Sequence, residues 1–410
     1  MVAAGLVAPA WAQPQPVALT LPSALQAARE NADVSLARRA LAAAQADVVS
    51  ADHPPAPQLT AKSSSMDLQH GLGPGNLLRD KRIDKSIGLD WTYERGNKRA
   101  LRTRAAERAA GAAELDVQEI AVQQQIAAAG AFYDLLAAQE RMAQVEAIER
   151  SAGQLATASR RRLRAGDVSQ QETARIEIEA QRAATDLRAA QAERQRAQLA
   201  LSQLTRLPGE LVAQASWPPL TPPAAAGVDP DRRADVRAAL QRVEAAQAAL
   251  DNAAALRKND VTVGASYDHF PGTSTRLIEL RMQMPLAGML GSYDYQGEIA
   301  RARAALAQAQ DQFEKTRLAA AIDTQRLQRD LDSAAGRARI FQEDIVPRAR
   351  QVASMAELAY NKGAMSLTEL IDARRTLRAV LLDDVAAHAE HARALSAWQL
   401  RQSPISTPDR

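Results

Sequence analysis

One helix-turn-helix motif occurs twice in this sequence, and no other feature constrains the fold as strongly. The second copy lies within Asp344–Leu382, where a helical pattern ends in front of Gly363, a residue suited to a left-handed helix cap. Ser366 and Glu369 then form a capping box that opens a new helix. The first copy, Arg164–Glu172, has its glycine, serine and glutamate at the same offsets. Two equivalent tips in two halves of the chain predict an internal duplication.

The composition favours long helices over a single globular core. Aromatic residues make up only 3% of the 410 residues, and alanine, glutamine, arginine and glutamate dominate long stretches. Such a bias fits helices packed along narrow seams. The net charge of +3 is nearly balanced, so nucleic acid is not an expected partner. Because the chain has no cysteine, a disulfide or a thiolate metal site is impossible.

The amino terminus has the look of a processed leader. Met1–Ala12 ends in a small-x-small pattern, which resembles the tail of a secretory signal peptide although a basic start is missing. We interpret residues 1–12 as the remnant of a signal peptide, with an apolar leader or a late start as alternatives. No run of 18 apolar residues exists elsewhere, which excludes a membrane-spanning helix.

Four segments read as amphipathic strands of roughly 9 to 11 residues, the length that crosses a bilayer at a tilt. Leu59 and Ala61 alternate with polar residues, as does 261–267. The side chains expected to face lipid are Ile87, Leu89, Trp91, Tyr93, Ile278, Leu280 and Met282. Four strands cannot close a barrel and open edges are forbidden in lipid, so several copies would be needed. A small water-soluble sheet capping a helical bundle is the alternative.

The fold class we predict is mainly α with a transmembrane β-barrel portion, built from two internal repeats. Each repeat has a helix, two strands, a long helix, a tip and a returning helix. The first helix covers about Leu21 to Ser50, and Pro347 should bend the second long helix or cost it a hydrogen bond. A long helix of almost 70 residues spans about 100 Å, so the strands should lie at one end and the tips at the other. The predicted divisions are 13–206 for the first repeat, 207–231 for a proline-rich linker, 232–402 for the second repeat and 403–410 for a tail.

Taken together, these features resemble the TolC-type outer-membrane efflux proteins over nearly the whole chain. Arg233–Ala239 looks like the segment that opens the second repeat of that family. The tip pattern is carried by Pro347 and Tyr360–Gly363, followed by Ser366, Glu369, Leu370 and Ala373. The resemblance implies a homotrimer with a twelve-stranded barrel in the outer membrane of a Gram-negative bacterium and a periplasmic helical barrel. It also implies a passive exit duct, without cofactor or catalysis, that works with a periplasmic adaptor and an inner-membrane pump of the resistance-nodulation-division type.

Within that family the sequence is similar to the heavy-metal (cobalt–zinc–cadmium) branch. Glu94–Arg99 followed by Arg102 carries the branch's glycine, lysine and arginine run, and Met284–Leu286 and Gln296–Ile299 also look like that branch. The segment Ala287–Tyr295 and the missing lipid-modified cysteine depart from it. Heavy-metal cations are therefore the first substrate hypothesis. Drugs or other small molecules, and a type I secretion duct, are the alternatives.

A periplasmic gate follows from the resemblance. Glu369 and Asp372 occupy the positions of acidic rings, where three copies would attract cations. Glu172 is the counterpart in the first repeat, but Arg175 stands where a second acid would be. Tyr360 would hold the closed state by hydrogen bonds. The alternatives are that Glu369 only caps its helix, that Asp372 is a solvated acid and that Tyr360 only packs.

The two tips are the predicted adaptor contacts, because apolar side chains exposed at a turn, Val168 and Met365, otherwise lack a purpose. The full set is Arg164, Gly166, Val168, Ser169, Lys362, Gly363, Met365 and Ser366. Ordinary hairpin chemistry is the alternative explanation for the glycines and serines.

The remaining motifs are weaker. His388 and His391 lie at i and i+3 beside Glu390, and we interpret them as solvated surface rather than a metal site. The glycine-rich loop Gly71–Gly75 reads as an extracellular turn. A soluble periplasmic coiled-coil adaptor or scaffold is the second functional class, but adaptors have one hairpin flanked by β domains. The doubled set of amphipathic strands discriminates against it.

Overall fold

The structure is a computed structural model, and it describes residues 17–64, 69, 83–220, 229–270, 276–286 and 293–402. These residues are mainly helical, as predicted. They form two compact units. We call the first the hairpin unit, which comprises the described residues of Met1–Leu36, Gln118–Arg233 and Ala319–Arg410. The second, the sheet unit, comprises those of Ala37–Val117 and Ala234–Leu318.

The helices run long where the sequence offers no proline. They are α1 Leu21–Ala28, α2 Ala32–Ala51, α3 Lys98–Ala165, α4 Gln170–Thr205, α5 Ala234–Ala255, α6 Gln296–Ile340, α7 Val346–Asn361 and α8 Leu367–Gln402. Helix α3 continues for 68 residues, since nothing between its ends removes a backbone donor. Both long predicted helices and both returning helices are therefore present.

The first predicted helix is wrong in one respect, because it is broken into α1 and α2. Asn31 ends the continuity: its side-chain oxygen accepts from the N–H of Asp33 at 3.0 Å, which is an N-cap bond. The amide nitrogen of Asn31 donates to the carbonyl of Leu204 and to the side chain of Gln124, each at 3.1 Å. Tertiary hydrogen bonds thus fix the break between α1 and α2, which helix propensity alone does not indicate.

Pro347 alters the backbone hydrogen bonds of the second long helix, which is one of the two predicted effects. The five residues Phe341–Ile345 between α6 and α7 form a π-helical turn, and the N–H of Val346 donates to the carbonyl of Phe341. Proline lacks the N–H that would bond to the carbonyl four residues earlier. The wider turn in front of Pro347 relieves that loss and lets the helix continue.

A short parallel pair of strands was not predicted. Strand β1, Val17–Leu19, pairs with β4, Leu211–Ala213, and β4 lies within the predicted linker 207–231. Gln139 of α3 brackets the end of β4, accepting from the N–H of Ala213 at 2.8 Å and donating to its carbonyl at 3.1 Å. Buried side chains around this pair form the main apolar core of the hairpin unit: Leu19, Phe132, Leu135, Leu201 and Leu211.

The sheet unit contains one antiparallel sheet with the strand order β2-β3-β5-β6. Its strands are β2 Gln58–Ser64, β3 Asp84–Tyr93, β5 Val261–His269 and β6 Leu277–Gln283. Among the described residues the outer edges of β2 and β6 pair with no strand. The sheet therefore ends in two free edges within one chain.

Candidate functional site: hairpin tips and sheet faces

The first tip joins α3 to α4 with a left-handed glycine. Gly166 has φ +84°, and the N–H of Asp167 donates to the carbonyl of Arg162 at 2.9 Å, as in a Schellman motif. Ser169 caps α4 by accepting from the N–H of Glu172 at 3.1 Å. The predicted cap and turn are therefore present at this tip.

The second tip joins α7 to α8 in the same manner. Gly363 has φ +72°, and the N–H of Ala364 donates to the carbonyl of Ala359 at 2.9 Å. Ser366 and Glu369 form the predicted capping box: the hydroxyl accepts from the N–H of Glu369 at 3.3 Å, and the carboxylate accepts from the N–H of Ser366 at 2.9 Å. Both tips thus have the same backbone arrangement, a left-handed glycine followed by a serine N-cap.

The predicted gate residues lie in different environments. Glu369 is exposed, and the backbone N–H and then the hydroxyl of Ser366 lower the pKa of its carboxyl. Asp372 is exposed and lies 3.9 Å from the guanidinium of Arg375. Glu172 is half-buried, and Tyr360 packs against the apolar cluster of Ala156, Ile176 and Leu367. Glu369 therefore caps its helix, and Tyr360 packs against an apolar cluster, and both contacts are independent of any role in the gate.

Arginines cross between the two hairpins near the tips. Arg175 of α4 donates to the hydroxyl of Thr368 at 3.2 Å. Arg375 of α8 forms an ion pair with Glu179, and Arg378 forms one with Asp186. Sequence patterns do not indicate these contacts, because the partners are more than 190 residues apart in the chain. The three contacts, which we call the α4–α8 ladder, tie the second hairpin to the first.

The exposure of the tips differs partly from expectation. Arg164 and Lys362 are exposed, but Val168 and Met365 are only half-exposed. These two apolar side chains are therefore less available for an adaptor contact than predicted. Exposed charge and backbone remain available at both tips.

The sheet presents its apolar side to the outside of the chain. The predicted lipid-facing side chains are between 49% and 81% exposed, and cross-strand register places Leu89 between Leu59 and Ala265. Ser266 and Asp268, on the opposite face, are at most 8% exposed. This distribution is the reverse of that in a water-soluble sheet, where the apolar face is covered.

The motif that resembles the heavy-metal branch forms the junction between β3 and α3. Arg102 donates to both carboxylate oxygens of Glu94, at 2.6 Å and 3.1 Å, and to the carbonyl of Ala51 at 2.8 Å. The bond to Glu94 raises the pKa of Arg102. Lys98, only 8% exposed, forms an ion pair with Asp260 at 2.8 Å. Glu94, Lys98 and Arg102 therefore each have a partner within the chain, and these contacts give the motif a structural role.

The histidine pair is not solvated, so that interpretation is wrong. His391 is 1% exposed, and burial lowers its pKa. His388 stacks on Trp217 with ring centroids 5.9 Å apart and lies 3.5 Å from Asp384, whose pKa burial raises. The linker residue Trp217 covers this part of α8, and no sequence pattern indicates that contact.

Some predicted features cannot be placed. Residues 1–12, Gly71–Gly75, most of Ala287–Tyr295 and 403–410 lie outside the described residues. Among the residues that are described, no group of three or more His, Cys, Asp or Glu side chains is arranged to hold a metal ion. Within the same residues, no helix combines the length and the hydropathy that a membrane span requires.

Comparison with known proteins identifies the fold of this chain. No protein-family model matches the sequence, and no curated protein matches it. CusC, studied for its transmembrane channel formation, is 17% identical with a TM-score of 0.79, covering 97% of this chain and 95% of its own. The chain has the fold of bacterial outer-membrane channels. The outer-membrane protein VceC of Vibrio cholerae is 17% identical with a TM-score of 0.73, covering 92% and 94%. The outer-membrane channel CmeC of Campylobacter jejuni is 14% identical, also with a TM-score of 0.73, covering 93% and 85%.

This fold likeness supports the architecture and does not choose among substrates. The TM-scores of these three structures lie close together, and their sequence identities are equally low. Any substrate preference of the chain therefore depends on its own residues.

Proposed function

We propose that this chain forms a homotrimeric channel in the outer membrane of a Gram-negative bacterium and conducts substrate passively to the exterior. The observation that carries the proposal is the inverted sheet, whose apolar face is exposed while the polar face of its central strands is largely buried. Leu280, for example, is 81% exposed, whereas Asp268 is 4% exposed. A lipid-facing barrel wall requires this arrangement, with apolar side chains outside and polar ones inside.

The free edges of the sheet support the trimer. Because unpaired backbone groups are costly in lipid, β2 and β6 each require a strand from another copy. Three copies of four strands give a closed barrel of about twelve strands, which is wide enough for a lumen.

Exposed apolar side chains on the helices also support contacts with other copies of this chain. They lie on α6 and α7 at Ile322, Ile340, Val352, Met355 and Leu358, and on α4 at Ile178 and Leu199. Each is at least 49% exposed in the single chain, and large apolar side chains exposed in such number are typical of surfaces that meet a partner. In the proposed trimer, neighbouring copies cover these rows and close a periplasmic helical barrel.

The tips would meet a periplasmic adaptor, with an inner-membrane pump of the resistance-nodulation-division type supplying energy. Their sharp turns expose Arg164 and Lys362 beside backbone at Gly166 and Gly363. Behind them, Glu369, Asp372, Glu172 and Tyr360 form the proposed gate, and the α4–α8 ladder holds the two hairpins together. No step in this transport requires catalysis or a cofactor.

Heavy-metal cations remain the first substrate hypothesis, resting on the resemblance at Glu94–Arg102. A second candidate, small organic molecules, is favoured by a specific observation. The charged side chains of the motif at Glu94, Lys98 and Arg102 already form ion pairs within the chain. At the proposed gate, Arg375 lies beside Asp372. Paired carboxylates attract cations less strongly than free ones.

Membrane residence is the first test of the proposal. We expect the full chain, expressed with a signal peptide, to fractionate with the outer membrane and to require detergent for extraction. In detergent it should have the mass of a trimer. A freely soluble monomer would contradict the proposal and favour a soluble adaptor or scaffold.

A further inference from the structure

One ion pair on the polar face of the sheet joins two strands that are not neighbours. Asp90 lies on β3 and Arg281 on β6, with β5 between them. In the register, Asp90 is opposite Gly264, and Gly264 is opposite Arg281. The guanidinium donates to the carboxylate of Asp90 at 2.5 Å. The pair therefore passes directly over Gly264.

This path exists only because the middle position has no side chain. Next-but-one strands are about 10 Å apart, which an aspartate and an arginine can span together only by lying close to the backbone between them. A Cβ atom on Gly264 would be 2.0 Å from the Asp90 carboxylate oxygen. The same Cβ would also be 3.4 Å from a guanidinium nitrogen of Arg281, so both members of the pair lie against this position. Gly264 therefore forms a shallow seat for the pair.

The seat keeps two opposite charges flat against the wall. The side chain of Asp90 is 12% exposed and that of Arg281 is 36% exposed. Thr60 adds a long hydrogen bond to the other oxygen of Asp90 at 3.5 Å. The nearest further acid is Glu279, which is 4.0 Å from Arg281 and 57% exposed. Among the described residues, the acids that would still attract Arg281 without Asp90 are the solvated Glu279 and, more weakly, Asp268.

We propose that the Asp90–Arg281 pair is a determinant of ion selectivity in the barrel lumen. The inference rests on the proposed channel function and adds a specific element to it. By holding Arg281 against the wall, Asp90 keeps three positive charges per trimer from standing in the conduction path. By neutralising Asp90, Arg281 keeps three negative charges from doing so. Rings of charged side chains decide the selectivity of a pore.

Planar-bilayer recording in a KCl gradient tests the inference with single-charge variants of the purified trimer. Asp90→Asn should free Arg281 and lower the ratio of potassium to chloride permeability by about twofold or more. Arg281→Gln should raise the ratio by a similar factor. The double variant should move back toward the wild-type ratio, because its wall is neutral again.

Gly264→Ala provides a companion that leaves the net charge unchanged. Its methyl group should lift the pair from its seat and reduce the conductance of each channel. If a neutralised variant does not assemble, the exchanged pair Asp90→Arg with Arg281→Asp is measured, and it should keep the wild-type ratio.

The outcomes separate the two levels of the argument. A wild-type protein that forms no channels would defeat the proposed function itself. Channels whose permeability ratio is the same in wild type, Asp90→Asn and Arg281→Gln would overturn the selectivity role alone. A shift in the same direction in both single variants would also overturn it, as would an exchanged pair with an altered ratio.

Discussion

The carboxylate of Glu369 accepts hydrogen bonds from both the backbone N–H and the hydroxyl of Ser366, at 2.9 Å and 2.8 Å. These bonds favour the ionised carboxyl, so the pKa of Glu369 lies below its ordinary value. The residue therefore remains negatively charged at neutral pH while it caps α8. Capping and a role in the gate are compatible, because the cap fixes the position of the charge.

The gate hypothesis predicts the effect of removing its two acids. Glu369→Ala combined with Asp372→Ala should reduce the preference of the channel for cations by about twofold or more, since six carboxylates leave the entrance of the trimer. Cation selectivity and single-channel conductance in a planar bilayer are the measurements. Glu146→Ala, an exposed acid on α3 that pairs with Arg150, is the control. Unchanged selectivity in the double variant would remove the acidic ring from the mechanism.

The α4–α8 ladder predicts a more open entrance when it is cut. Arg375→Ala removes the contact between Glu179 and the second hairpin, so the hairpins should separate more easily and mean conductance should rise by about twofold. Arg182→Ala is a matched control, because Arg182 pairs with the same Glu179 at 3.3 Å but within α4. Equal conductance in the two variants would argue that the ladder does not restrain the gate.

The apolar sheet face predicts an asymmetry between adjacent residues of β6. Leu280→Lys places a charge toward lipid, at a cost of about 2–4 kcal/mol near the centre of the bilayer, and should reduce the amount of trimer in the outer membrane. Glu279→Lys changes a residue on the polar face and should assemble normally. Heat-resistant trimer on gels, with total protein as reference, is the readout. Equal loss in both variants would contradict the assigned orientation.

Burial of His391 predicts a pH dependence of stability. Since the folded pKa lies below the unfolded value of 6.5, the unfolded chain binds the proton more readily at mildly acidic pH. This contribution to stability is complete above the unfolded pKa and is lost as pH falls below it. The thermal midpoint should therefore decrease between about pH 7.5 and about pH 5.5, and less so in His391→Leu.

Two features make that comparison specific. Asp384, whose pKa is raised by burial, changes the pH dependence of stability with the opposite sign. Because wild type and His391→Leu both contain Asp384, the difference between their stability curves removes its effect to first order. His53→Leu, which changes an exposed histidine, is the control and should follow the wild type. If His391→Leu lost as much stability as wild type on acidification, the buried imidazole would not be the cause.

Local chemistry made the strands and tips predictable. Period-two alternation identified β3, and the offsets from Gly363 to Ser366 and Glu369 identified the second tip, because these elements depend on neighbours in sequence. The faces of the sheet also followed from alternation. Which strands pair, and in what register, required the structure.

The missed features depend on partners that are distant in sequence. Strands β1 and β4 have only three residues each, too few to show a period. Asn31 breaks a helix through bonds to α3 and to Leu204, and Arg375 finds Glu179 across 196 positions. Trp217 covers His388 from a proline-rich segment that has no pattern of its own. Sequence periodicity does not carry this information.

Single-channel recording of the purified full chain in a planar bilayer is the most direct measurement of the central claim. The account predicts discrete, passive conductance steps from a detergent-extracted homotrimer, which are lost in the Leu280→Lys variant. Protein that stays monomeric and water-soluble, or trimers that insert without conducting, would contradict it.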